Sequence, residues 1–296
     1  LVYKQTSLGE GVLISFYLSF KTSSSEEVFY FFRAILQLNK GEDTMNTKEK
    51  FLSQFAFSNA MRGYVGIERE RFLKNAAGLY VPRAKKFLSE VKDSHWTHEL
   101  SACQVEDRTD PRNNTLELKY DLVRNTNNGI YAAQNIGAEI ITEEVASFHV
   151  PLDVFPLERY KNIVQTITKD RLRSACRVAG IHIHMGVGSI DEAIRVHNVC
   201  NAYRNKLIHM GDHSSGERIA LYKEMAPQWS SPHYENVEHF FETATIEGFS
   251  ESPKQCYHLV RISVHGTVEC RMFGVTPHED EIIYWVEFLK KIIGGV

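Results

Sequence analysis

Three stretches of the chain carry side chains whose chemistry depends on their spacing. Arg261-Ile262-Ser263-Val264-His265-Gly266-Thr267-Val268-Glu269-Cys270-Arg271-Met272 alternates polar and apolar residues. Read as one β-strand, it gathers Arg261, Ser263, His265, Thr267, Glu269 and Arg271 on one face and leaves the other face apolar. Ile181-His182-Ile183-His184-Met185-Gly186-Val187 does the same with two imidazoles, and Val65-Gly66-Ile67-Glu68-Arg69-Glu70 with two carboxylates. Carboxylates and imidazoles at i and i+2 on three strands predict a site floored by a sheet, with oxygen ligands for hard divalent ions and arginines for phosphate. A fourth stretch, His98 to Thr109, puts Gln104, Glu106 and Arg108 on one strand face. Glu99 has the opposite parity to Glu106, so both reach one site only if the chain bends or bulges between them.

Capping signals and periodicity predict the elements that must hold these stretches. An amphipathic helix is expected over 45–60 through Phe51, Phe55 and Ala56, a strand at 64–72, a turn at 75–78, and a helix over 83–92 opened by Pro82. From Thr115 to about Ile136 the pattern is helical, with Leu116, Tyr120, Val123, Ile130 and Ala133 as its buried stripe and Asn127-Asn128-Gly129 as a weak point. A strand at 138–142 and a helix over 158–178 follow. Ser189-Ile190-Asp191-Glu192 is a capping box opening a helix to Ile208. Residues 210–234 read as a lid or binding loop, residues 235–247 as a helix. The last helix is marked by Thr276 as cap, Pro277 at its first position, Glu279 closing a capping box, Lys290 and Lys291 in the last turn, and Gly294 beyond. This irregular interleaving of strands and helices predicts one α+β domain over 45–296 on a mostly antiparallel sheet. His95, His98, His197, His209, His213 and His239 read as surface residues, Phe240-Phe241 as core.

The 296 residues, 43% hydrophobic and 24% charged with a formal net charge of -3, describe an ordinary globular chain. That charge gives no reason to expect a nucleic-acid or lipid surface. Cys103, Cys176, Cys200, Cys256 and Cys270 are odd in number and lack C-x-x-C spacing, so they read as reduced cytoplasmic thiols. Residues 1–44 fit poorly with the rest: the apolar run 11–20 is too short for a membrane span, and the first residue is Leu1. Lys40-Gly41-Glu42 can reverse-translate to a purine-rich AAAGGAGAA ahead of Met45, so residues 1–44 are expected to be translated upstream sequence, with a genuine N-terminal helix pair as the alternative.

Taken in order, Gly66 to Glu70, Glu99 to Thr109, Gly180 to Val187 and Gly266 to Arg271 resemble the glutamate-cysteine ligase type 2 family of carboxylate-amine ligases, within the glutamine synthetase superfamily. The resemblance covers roughly residues 64–274. It implies a curved antiparallel sheet forming a funnel that takes ATP, Mg2+ or Mn2+, and small-molecule substrates. It also implies roles: Glu68 with Glu70 and Glu99 with Glu106 as paired metal ligands, and His182 and Glu269 as ligands of a metal bridging the ATP phosphates. By the same likeness His184 and Arg271 contact nucleotide phosphate, Arg261 meets the transferred phosphoryl or substrate carboxylate, and Arg218 binds substrate. Glu269, Arg261 and Arg271 form the expected catalytic set. Against the family's usual length, elements beyond Val296 are expected to be missing.

The chemistry so implied is ATP-dependent joining of a carboxylate, glutamate by default, to an amine, cysteine by default, in glutathione biosynthesis. Three other readings stay open at this level: a guanidino phosphotransferase of the same superfamily, a zinc hydrolase using His182 and His184, and a binding module without catalysis. A carboxylate-rich set favours magnesium over zinc. Homo-oligomer formation and the identity of the amine are left undetermined.

Overall fold

The computed structural model describes residues 43–294. The expectation for residues 1–44 falls, but for its last two residues, outside them. The chain divides into two compact units, Leu1–Glu49 and Lys50–Val296, and the second contains the sheet, the core and the site. The element order is α1 (Asp43–Leu52), β1 (Val65–Lys74), α2 (Ala84–Val91), β2 (Trp96–His98), β3 (Gln104–Arg108), α3 (Thr115–Asn135), β4 (Glu139–Ile141), α4 (Glu158–Thr166), α5 (Lys169–Arg177) and β5 (Ile181–Gly186). Then come α6 (Ile190–Ala202), α7 (Arg204–Gly211), α8 (Glu217–Met225), α9 (Val237–Ile246), β6 (Val260–Ser263), β7 (Thr267–Phe273) and α10 (Glu279–Ile293).

The α+β expectation holds. Seven strands form one sheet in the order β2-β3-β1-β5-β7-β6, with β4 also on β1, and every strand pairing is antiparallel. β1 is central because its alternation serves two faces. Val65, Ile67, Arg69 and Arg71 are buried on one, while Gly66, Glu68 and Glu70 stay half-buried on the other. We call the Glu face the front and the Arg face the back. On the back lie α3 and α10, to which Arg69 is joined through Leu122 O and Glu279. The front is overhung by α4, α5 and the end of α8.

The predicted 261–272 strand is a hairpin instead. β6 turns into β7 through Val264-His265-Gly266, with Gly266 at φ +70 and its N–H donating to Ser263 O at 3.1 Å. Only glycine adopts this left-handed conformation without strain, which places the turn here. The polar face survives, because directly opposed residues point the same way: Arg261 pairs with Glu269 and Ser263 with Thr267.

Other elements depart from the sequence pattern for local reasons. The 158–178 helix breaks at Ile167–Thr168, where Thr168 Oγ1 accepts from Arg171 N and caps a second helix. The helix after Ser189 is interrupted at Tyr203. Segment 210–234 is not a loop, for it contains α8. The last helix starts later than expected, at Glu279, and Thr276 Oγ1 accepts from His278 N before it. Residues 53–60 lie beyond α1, yet Phe51 and Phe55 pack on Phe240 at 5.2 and 5.8 Å. His197 is fully buried, against the surface expectation.

The largest correction concerns α3. Its predicted stripe faces out: Leu116, Tyr120, Val123 and Ile130 are exposed, and the helix buries Leu118, Leu122, Asn125, Gly129 and Ala132 instead, with Ala133 buried as expected. The polar members of that inner face are needed by the back of the sheet, where Asn125 Nδ2 donates to Arg108 O at 2.8 Å. Gly129 is no flaw, since a Cβ there would lie 2.4 Å from Trp96 Cζ2, so the missing side chain seats the indole.

Candidate active site

Glu269 sits at the centre, with no solvent exposure. Its Oε2 accepts from Arg261 Nε at 2.6 Å and its Oε1 from Arg271 Nη1 at 2.5 Å. Burial alone would raise this carboxyl, but Arg261, His184 and Arg271 hold it far below the usual range. His182 Nδ1 and His184 Nε2 approach its two oxygens at 3.7 and 3.8 Å. Glu68, opposite His182 in the sheet register, reaches both imidazoles at 3.3 and 3.4 Å. Against burial, His184 and His182 keep Glu68 well below the ordinary carboxylate value.

The two imidazoles differ. Burial and then Arg271 push His182 down to about 4, so it is a neutral, ligand-ready ring at physiological pH. His184 is raised despite burial by Glu269 and Glu68. Thr267 Oγ1 fixes its Nδ1 at 2.9 Å, turning Nε2 toward the carboxylates. That Nε2 is buried and, although 3.4 Å from Glu68 Oε2, too poorly aligned for a hydrogen bond.

A second cluster adjoins the first. Glu70, Glu99 and Glu106 can each present an oxygen within 4.8 Å of the others, and Glu68, Glu106 and His182, and Glu68, His184 and Glu269, can likewise bring carboxylate oxygens and an imidazole nitrogen within that distance. Glu99 joins despite its parity because it follows β2 rather than lying in Glu106's strand, where His98 pairs with Val105 at the hairpin end. Burial and then Glu99 push Glu70 up to about 8; burial, Glu68 and Glu99 raise Glu106 well above normal. Such crowding of buried carboxylates, with an orphaned imidazole nitrogen aimed among them, fits divalent cations bound by oxygen and nitrogen donors. Glu68, Glu70, Glu99, Glu106, His182 and Glu269, with His184 beside them, would hold these ions.

Two cavities meet at this cluster. One, of about 330 Å³, runs from Glu70, Glu99, Glu106, Arg261 and Arg271 to an apolar wall on α4 and α5. The other, of about 240 Å³, is bordered by Tyr64, Arg108, His184 and Thr267. Glu68 and His265 border both.

The structure thus brings together the residues singled out in the sequence, with one exception. Arg218 is buried away from the cavity walls, donating to Ala179 O at 2.7 Å, Met272 O at 3.1 Å and Arg271 O at 3.1 Å. It ties down the irregularity where β5 and β7 change register near His182. Tyr222 was missed. Its hydroxyl accepts from Arg271 Nε at 3.1 Å and donates to Tyr257 O. It lies on α8, in a segment expected to be loop, where no helical face could be assigned.

Fold and donor set together define a site on an antiparallel sheet whose carboxylates and imidazoles fit divalent cations and whose arginines fit an anionic group. Residues 64–208 match the family described as Glutamate-cysteine ligase family 2 (GCS2). A glutamate–cysteine ligase from Natronomonas pharaonis is 26% identical over 254 residues, 78% of this chain and 69% of that protein. In fold, the chain is similar to a bifunctional glutathione synthetase from Pasteurella multocida, with a TM-score of 0.54 at 13% identity over 86% of this chain. It spans 40% of that protein's length. Over residues 64–208 the chain is thus similar to the glutamate-cysteine ligase family 2, and this match supports an ATP-dependent carboxylate-amine ligase. No helix among the described residues is long and apolar enough to cross a membrane.

Proposed function

We propose that this chain joins the γ-carboxylate of glutamate to an amine, cysteine by default, through an acyl phosphate formed from ATP. The observation that supports this reading is the junction of two cavities at one cluster, with Glu68 and His265 bordering both, His184 Nε2 at 3.4 Å from Glu68, and the clamped Glu269 at 3.8 Å from the same nitrogen. Two anions must be brought into line there, and water must be kept out.

The nucleotide phosphates are assigned to the His184 side and the acid to the Glu70–Glu106 side. Arg271 is held by Glu269 and Tyr222, and Arg261 by Glu269 and Cys256 O, so both guanidiniums are preorganised toward the transferring group. Mg2+ bound by the carboxylates would neutralise phosphate charge and polarise the γ-phosphoryl group. In the first step the acid's carboxylate oxygen bonds to the γ-phosphorus as its bond to the β–γ bridging oxygen breaks and ADP leaves. In the second the amine nitrogen bonds to the acyl carbon, phosphate leaves with one carboxylate oxygen, and the nitrogen loses a proton. No nucleophilic side chain is required. All five cysteines are buried.

Glutamate carrying ¹⁸O in its γ-carboxylate tests the order of bonds. One labelled oxygen is expected in each phosphate released with amide. Unlabelled phosphate formed in step with product would rule out the acyl phosphate, and ATP consumption without phosphate release would indicate a guanidino-type phosphotransfer instead.

A further inference from the structure

The reaction proposed above uses the floor of the larger site cavity and leaves its α4 side without a task. None of the nine residues of α4 is buried. Tyr160, Ile163 and Val164 are half-buried and the other six are exposed, so the helix has an inner apolar stripe with an unfinished core beneath it. Tyr160, Ile163 and Ile167, at steps of 3 and 4 residues, border the cavity, and Met225 at the end of α8 continues the apolar surface. Val164 and Ile167 also pack on the main core and Tyr160 on the smaller one, whereas Ile163 packs on neither among the described residues. From 160 to 167 the stripe runs about 10 Å, more than the side chain of cysteine can cover.

Cations stand beside the stripe without anionic partners. Arg171, in the first turn of α5, gives Nε and Nη2 to Met225 O at 3.1 and 2.7 Å. A carbonyl satisfies two of its donors and leaves its charge unbalanced. Arg159, over the Tyr160 ring at 5.9 Å, and Lys254 border the same cavity. Among the described residues no carboxylate forms an ion pair with any of the three, while Glu70, Glu99 and Glu106 crowd the cavity floor. The cavity thus offers an anionic surface, a cationic one and an apolar one. An α-amino acid presents an amine, a carboxylate and a side chain that diverge from one carbon, and each surface receives one of them.

We propose that the amine taken by this site is an α-amino acid with a large apolar side chain, leucine-like rather than cysteine-like, seated on Tyr160, Ile163, Ile167 and Met225 with its carboxylate at Arg171. The inference rests on the ligase reading above and replaces its default acceptor. Ile163 and Arg171 then determine specificity in different ways. Ile163 rewards apolar bulk, each methylene in such a pocket favouring the larger substrate by about 10-fold or more. Arg171 distinguishes an amino acid from a simple amine. Tyr160 Oη meets His98 Nδ1 at 3.2 Å, which holds the stripe against the segment that leads to Glu99.

Initial rates of the full chain with ATP, Mg2+ and glutamate test this with leucine, cysteine and isoamylamine, which is leucine without its carboxylate. The kcat/KM for leucine should exceed that for cysteine by at least about 10-fold, and that for isoamylamine by at least as much. Ile163→Asn, at a position outside both cores, should abolish the preference for leucine over cysteine while KM for ATP and glutamate holds. Arg171→Gln should raise KM for leucine at least about 10-fold and leave isoamylamine unaffected, a difference that a merely structural loss would not produce. Cysteine used as well as or better than leucine, or an Arg171→Gln effect on the KM of glutamate in place of leucine, would overturn the inference and leave ligation standing. Should no amine be ligated, the ligase reading falls, and calorimetric titration of leucine and of isoamylamine into the full chain tests the pocket by itself. Heat from leucine alone keeps the amino-acid site; equal heat from both, or none from either, removes it.

Discussion

Four consecutive residues of β1, Glu68 to Arg71, alternate between two charged clusters with opposite electrostatic characters. Behind the sheet, Arg69 gives Nε and Nη2 to Asp107 Oδ2 at 3.0 and 2.7 Å, and Nη2 also to Leu122 O. Arg71 donates to Thr142 Oγ1 at 2.8 Å and faces Asp107 Oδ1 at 3.8 Å. Two guanidiniums thus flank one fully buried carboxylate, so the charges of this cluster are balanced by protein groups. In front, five glutamates converge, only Glu269 is clamped by arginines, and Glu70 and Glu106 are driven toward the neutral form. The back cluster closes on itself, whereas the front cluster carries an excess of anionic ligands that cations from outside must balance. Buried charge alone therefore does not mark a site; the sign and surplus left after pairing do.

The contrast predicts that equivalent losses on the two faces act on different quantities. The largest effect is expected for Glu269→Gln: turnover should fall by at least about 10²-fold while circular dichroism still reports a folded chain. Near-normal turnover by a folded variant would remove Glu269 from the chemistry. Arg69→Met should do the reverse, lowering stability by about 3–5 kcal/mol in urea unfolding because Asp107 loses its main partner. The surviving folded fraction should keep its turnover, and a loss of activity without destabilisation would erase the distinction between the faces.

A third buried pair sharpens the comparison through pH. His258 Nε2 lies 2.7 Å from Glu247 Oε2, and although burial opposes the charge, Cys256 and Glu247 push the imidazole up to about 9. A folded value above the unfolded one of about 6.5 means stabilisation that is complete below pH 6.5 and lost as pH rises toward 9. Up to about 3 kcal/mol should disappear across that window, and His258→Gln should flatten the profile there. A slope unchanged by the substitution would assign it to other groups. The smallest effect concerns metal. Mg2+ at about 100 times its dissociation constant should stabilise the wild type by roughly 2.7 kcal/mol in thermal melts, and Glu68→Gln much less. Equal stabilisation of both proteins would place the ion elsewhere.

The front cluster was legible in the sequence because alternation along a strand is strict: Glu68 with Glu70, and His182 with His184, had to share faces wherever the strands paired. The pairing itself was not. Arg261 and Glu269 share a face whether 261–272 is one strand or a hairpin, so the shared polar face emerged from an incorrect element, and only the backbone at Gly266 distinguishes them. Arg218 illustrates the opposite failure, since a guanidinium that binds carbonyls and one that binds substrate look alike in sequence. On α3 the outward apolar row outscored the true inner face because Asp121 and Asn125, both fully buried, are committed to hydrogen-bonded and ionic contacts that periodicity cannot foresee.

Glu68 belongs to the walls of both cavities, and this shared wall has a thermodynamic consequence. In the proposed reaction a ligand that draws on the Glu68 carboxylate from one chamber changes what the other chamber meets, which would couple the two occupancies. Linkage then demands symmetry: the factor by which nucleotide tightens or weakens the hold on the acid is the factor the acid returns to the nucleotide. A single carboxylate makes the two halves of the reaction aware of each other before any bond has changed.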